Sequence, residues 1–136
     1  MDQSTLLQLL NSLLEAERAG AKVIAAYLAE YDPASAAGSK LLEVQRDEAR
    51  NCVILMDLIR AQGGTPSAAT GSFLEKALAV QGRSERLAFL NRGQAWVARK
   101  IAEALPQLPA GPLHTALAEM QVSHVDNIEA CDRLLA

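Results

Sequence analysis

All five prolines of this 136-residue chain, Pro33, Pro66, Pro106, Pro109 and Pro112, fall in gaps between long apolar-periodic segments. Proline removes a helical hydrogen bond and clashes with the turn before it, so it marks where helices stop. With Gly63-Gly64 and Gly82, these breaks set the helix lengths. The first predicted helix starts near Ser4 or Thr5, with Thr5 and Gln8 as a capping box, and runs to about Glu30. A second covers about Ala36 to Gln62, and GGTPSAATG follows as a loop. A short helix spans residues 72–81. Ser84 caps a third long helix to about Leu105, and a fourth fills residues 113–135. Aromatic residues are only 4% of a chain that is 50% hydrophobic, and the enrichment is in the strong helix formers Leu and Ala. No strand pattern and no internal repeat appears. The expectation is one all-α domain over residues 1–136.

The wiring follows from the connections. The loops between helices one and two, and between three and four, are short enough for antiparallel neighbours. The connection between helices two and three has about 20 residues and contains the short helix. At about 1.5 Å per helical and 3.3 Å per extended residue, it can run the whole length of a bundle about 35–40 Å long. One crossover flanked by two hairpins is expected. An up-down-up-down bundle capped by the short helix is the other wiring the lengths allow.

A formal net charge of −3, with 16 acidic and 13 basic residues, supplies no electrostatic footprint for nucleic acid. Lys and Arg are scattered, without the block that an anionic membrane attracts. No apolar run approaches the roughly 18–20 residues of a membrane span. The opening MDQSTLLQLL has neither a basic n-region nor a small-residue cleavage site, so the expected location is the cytoplasm. There Cys52 and Cys131 read as buried free thiols. The expected partner is a second copy of the chain, a homodimer. Tyr27 and Tyr31 are candidate contacts if they are not already partly buried.

The inward stripes carry the chemistry. Helix one offers Leu6, Leu10, Leu13, Gly20, Ile24 and Leu28, with Glu17 in line. Helix two offers Leu41, Val44, Cys52, Leu55 and Leu58, with Glu48 in line and Asn51 beside it. Helix three offers Leu87, Leu90, Val97 and Ile101, interrupted by Asn91 and Gln94. Helix four offers Leu113, Leu117, Met120, Ile128, Cys131 and Leu135, interrupted by His124 and Asn127. Each interruption lies near the middle of its helix, so packing the four brings the polar groups to one layer. No Lys or Arg lies on these stripes. Glu17 and Glu48 must therefore share a proton, bond to Asn, Gln and His124, or meet a cation.

By helix and spacing this pattern resembles the ferritin-like di-iron carboxylate superfamily. That superfamily places Glu on helix one, Glu-x-x-His on two, Glu on three and Glu-x-x-His on four. Glu17 matches the lone Glu of helix one. Glu48-Ala-Arg-Asn51 matches the helix-two motif, with Asn51 in place of the imidazole. Asn91 stands at the helix-three position, and His124-Val-Asp-Asn127 at the helix-four motif. The resemblance covers almost the whole chain in architecture. It implies a ferritin-like four-helix bundle with a short extra helix in the crossover between helices two and three, and a metal site that is altered or lost.

Three readings of the layer follow. In the first, Glu17, Glu48 and His124 hold an Fe, Mn or Zn ion, completed by amide oxygens. In the second, Asn51, Asn91, Gln94 and Asn127 satisfy the acids in a metal-free network that specifies packing. In the third, the same groups line a small-molecule pocket between helices. The expectation is a ferritin-like bundle with a degenerate mid-bundle site, neither a ferroxidase nor an iron store. No catalytic residue is assigned.

Overall fold

A computed structural model describes residues 1–135. The described residues are all-helical, without a strand. The long helices are α1 (Gln3–Tyr27), α2 (Ala36–Ala61), α4 (Arg83–Ala104) and α5 (Pro112–Leu135); α3 (Phe73–Ala79) is short. Single tight turns, Leu28–Glu30 and Leu105–Gln107, close α1 and α4. The boundaries agree with the breakers to within about two residues, the usual fraying at helix ends. The caps differ from expectation at two places. Asp2, not a Thr5–Gln8 box, caps α1: its Oδ1 accepts from the Thr5 N–H at 2.7 Å. Before α4 the cap position is Gly82, at φ +91°, a backbone shape that favours glycine, and Ser84 lies within the first turn of the helix. Among the described residues no helix is long and apolar enough to cross a membrane.

α1 packs on α2, α3 and α4, and α5 packs on α2 and α4. The side-chain contacts give the directions. Gln3, at the start of α1, bonds to the Gln62 carbonyl just past the end of α2, so that pair is antiparallel. Asn91, in the first half of α4, donates to the Ile128 carbonyl near the end of α5 at 3.2 Å. Glu30, just past α1, pairs with Arg86 near the start of α4. Asp47, in the first half of α2, accepts from Asn127 in the second half of α5 at 3.3 Å. Each pair of neighbours is thus antiparallel, and α2 and α4 run the same way on opposite corners.

Residues 63–82 must therefore travel from one end of the molecule to the other, and α1 guides them. Asn11 holds both the Thr65 carbonyl (3.3 Å) and the Ser67 N–H (2.7 Å). Arg18 donates to the Ala69 carbonyl at 2.7 Å. The Tyr27 hydroxyl donates to the Ala77 carbonyl at 2.9 Å. From Asn11 to Tyr27 the segment climbs roughly 24 Å of helix at 1.5 Å per residue. The capping alternative for the short helix gives way to this path. Tyr27 is accordingly buried in the chain's own core. At Gly93 an ideal Cβ would stand 2.6 Å from Cζ of Phe73, so the bare backbone of α4 is what seats the start of α3. Gly93→Val is expected to unseat Phe73 and loosen the crossover, seen as faster limited proteolysis within residues 70–82 at unchanged helix content.

The core is divided. At one end Leu6, Leu10, Leu13, Leu14, Leu55, Ile59, Val97, Ile101, Leu117 and Met120 pack together. At the other, Val23, Ile24, Tyr27, Leu41, Val44, Ala77, Leu87, Leu90 and Cys131 do so. The expected inward stripes hold in the middle of each helix and drift at some positions. Leu28, Cys52, Leu58, Leu113 and Ile128 are only half-buried, and Leu135 is exposed. Tyr27 and Ile59 take inward places instead, because a stripe read in steps of three and four slips against a true period of 3.6. Between the two apolar halves lies a polar layer.

Candidate functional site

Every residue expected in that layer is buried: Glu17, Glu48, Asn51, Asn91, Gln94, His124 and Asn127. They come from all four long helices, each near mid-length, as the interrupted stripes require. Among the described residues no Lys or Arg is buried. Gly20 makes room for the layer: a Cβ there would overlap the Glu48 carboxylate, lying 2.8 Å from its Cδ.

The layer sorts into two kinds of residue. His124 Nε2 bonds to Glu17 Oε1, joining α5 to α1 across the diagonal of the bundle. Gln94 Nε2 donates to Asn91 Oδ1 at 3.3 Å. Asn91 in turn donates to Asp132 Oδ1 at 2.8 Å, and Asn127 donates to Asp47 Oδ2 at 3.3 Å. Asp132 is exposed and Asp47 half-buried, so these two asparagines are anchored toward the surface. Asn51 is buried one turn beyond Glu48. What stays at the centre has no hydrogen-bond partner at Glu17 Oε2, Glu48 Oε2, Gln94 Oε1 or His124 Nδ1. Buried polar atoms usually find partners, so four orphans in one layer mark a place to look for a ligand.

Burial, and then the neighbouring Glu17 and Asp47 carboxylates, push Glu48 well above the usual carboxylate range. The fold therefore favours its neutral, protonated form. Burial pushes both thiols up to about 11, so Cys52 and Cys131 are poor thiolates, unsuited to nucleophilic or metal-ligating work.

As a di-iron centre the donor set does not fit. Asn91 and Asn127 occupy positions where the pattern needs a carboxylate and an imidazole, and both amides are committed to surface acids. Glu17, Glu48 and His124 meet in the layer. Yet among the described residues no three His, Cys, Asp or Glu side chains are grouped as ligands of one metal ion.

Beside the layer the structure holds a cavity of about 490 Å³ between α1, α4 and the crossover. Its buried end is lined by Glu48, Gln94, Gly20, Leu90 and Val97. Phe73, Phe89 and Trp96 form apolar walls, with the Phe73 and Phe89 rings stacked 5.0 Å apart. The exposed end carries Thr70, Gly71, Ser72, Lys76 and Arg92. Two of the orphaned residues thus open onto a space large enough for a small organic molecule. Periodicity identifies the floor of this cavity but not its walls. Phe73 lies on the crossover and Phe89 and Trp96 on the outer face of α4. Two sequence signals bear on them: Gly93, where α3 docks, and Trp96 off the deepest stripe.

A family model described as a domain of unknown function, DUF6306, matches residues 4–133. The chain belongs to this family. The matched span holds the polar layer, the crossover and all the cavity walls. No curated protein matches the chain.

Proposed function

We propose that this protein is a ferritin-like four-helix bundle in which the mid-bundle layer serves a small-molecule binding site rather than a di-iron centre. The parallel run of α2 and α4, joined by a crossover along α1, supports the ferritin-like wiring. One observation carries the binding reading. Glu48 and Gln94 are 3% and 2% exposed, each has an oxygen without a partner, and both line a cavity of about 490 Å³. A closed structural network would leave neither the orphaned atoms nor the space. Binding is by insertion from the crossover side: apolar walls take the body of the ligand and the two oxygens fix its polar head.

Ala16 lines the cavity from α1, so Ala16→Trp fills it while every polar residue of the layer stays in the chain. A fragment library screened by ligand-observed NMR is expected to give hits with the wild type that disappear with Ala16→Trp. Hits that persist in the filled variant would place binding elsewhere. Elemental analysis of protein purified without chelator or affinity metal tests the single-ion reading. Stoichiometric Fe, Mn or Zn, lost on Glu48→Gln, would replace the small-molecule proposal.

A further inference from the structure

We infer that the occupant of this cavity is a basic-nitrogen compound, an amine or amidine on a flat apolar body, inserted nitrogen first. The inference rests on the small-molecule reading of the same cavity and adds its polarity. At the buried end stand an acid and an amide oxygen, Glu48 and Gln94. Gln94 Nε2 donates to Asn91 Oδ1 and to Cys131 Sγ, so what its amide offers a ligand is its acceptor oxygen. His124 is spent on Glu17 at the nitrogen facing that acid. Glu17 and Asp47 add negative charge behind Glu48. An anionic head driven into this end would meet carboxylates and no guanidinium or ammonium, since none is buried. A basic nitrogen takes up the proton that burial holds on Glu48, and the resulting cation turns the same crowding of acids into attraction and gives the Glu48 carboxylate and the Gln94 amide a donor.

The walls agree with this polarity. Aromatic faces attract cations as well as apolar groups, and Phe73, Phe89 and Trp96 line the passage to the floor. Lys76 and Arg92 are both exposed at the outer end, where half-buried Glu15 also lines the cavity, so positive charge of the protein's own is confined to the rim. The order along the cavity is therefore a rim of mixed charge, aromatic walls and an acidic floor. A bare metal ion would use only the floor, whereas about 490 Å³ accommodates a body many times its size.

Three probes of one shape and different charge separate the possibilities: phenethylamine, phenethyl alcohol and phenylpropanoate, titrated into the full chain and followed by calorimetry and NMR. Phenethylamine is expected to bind at least about tenfold more tightly than phenylpropanoate, the scale set by one charge-assisted hydrogen bond. Glu48→Gln, with folding checked by circular dichroism, is expected to weaken phenethylamine by about tenfold and to leave phenethyl alcohol within about twofold. Ala16→Trp is expected to abolish binding of every probe. Phenylpropanoate or phenethyl alcohol binding as tightly as the amine, or an amine indifferent to Glu48→Gln, would overturn the amine inference. The cavity itself would still stand as a site if Ala16→Trp removed that binding. No binding by any probe, together with no hits in the fragment screen, would remove both.

Discussion

His124→Ala is expected to lower the stability of the fold by about 3–5 kcal/mol, the range found when one partner of a buried polar pair is removed. His124 and Glu17 are each 1% exposed, and Glu17 Oε2 is already without a partner. Taking away the imidazole leaves both Glu17 oxygens unpaired in a layer that contains no buried Lys or Arg. Gln94 offers no rescue while its amide nitrogen is bonded to Asn91 and Cys131. Urea denaturation followed by circular dichroism measures the effect as a fall in midpoint at unchanged slope. The double variant Glu17→Leu/His124→Leu separates the causes. It removes the orphaned acid along with its partner and is expected to recover most of the loss, as apolar replacements of buried pairs generally do. A double variant as unstable as the single one would assign the cost to packing instead.

The second large effect is a dependence on pH that runs opposite to that of a salt-bridged acid. Burial and the nearby carboxylates raise Glu48 in the folded state above its ordinary value of 4.5. Between that value and its folded pKa the native state holds a proton that the unfolded chain has released. Stability contributed by this group is therefore present below 4.5 and lost as pH rises through the window above it. The slope reaches about 1.4 kcal/mol per pH unit while one proton separates the two states. Glu48→Gln keeps the shape and the neutrality of the protonated acid. It is expected to match the wild type in acid, to exceed it in stability at neutral pH, and to flatten the profile. Unfolding free energies across a pH series, compared as a difference between the two proteins, isolate Glu48 from the other titrating groups. Parallel profiles would show that the fold does not hold Glu48 protonated.

Both effects come from residues that one-dimensional reasoning reaches. Glu17, Glu48, Gln94 and His124 each interrupt an apolar stripe near the centre of a helix, and all four are buried at the centre of the molecule. The same reasoning treats Asn91 and Asn127 as equals of the others. In the folded chain they turn to Asp132 and Asp47. Helical spacing says which face a residue occupies, but the partner of an amide is chosen by whichever donor or acceptor the neighbouring helix brings near. The cavity was still less legible. Its walls combine α4 with a crossover residue, Phe73, whose place depends on the path of a connection and not on any periodic pattern.

Helix existence, helix limits to within a residue or two, and the membership of the polar layer were all written in the order of residues along the chain. They depend on local rules: prolines and glycines interrupt backbone hydrogen bonding, and apolar side chains three and four apart share a face. Packing alone decided that α4 runs parallel to α2, that His124 reaches Glu17 across the diagonal, and that Glu48 lines a cavity with one oxygen unpartnered. Those outcomes join residues up to 107 positions apart. Their geometry is settled by how four helices and one crossover fill space together, which no local stretch of sequence encodes.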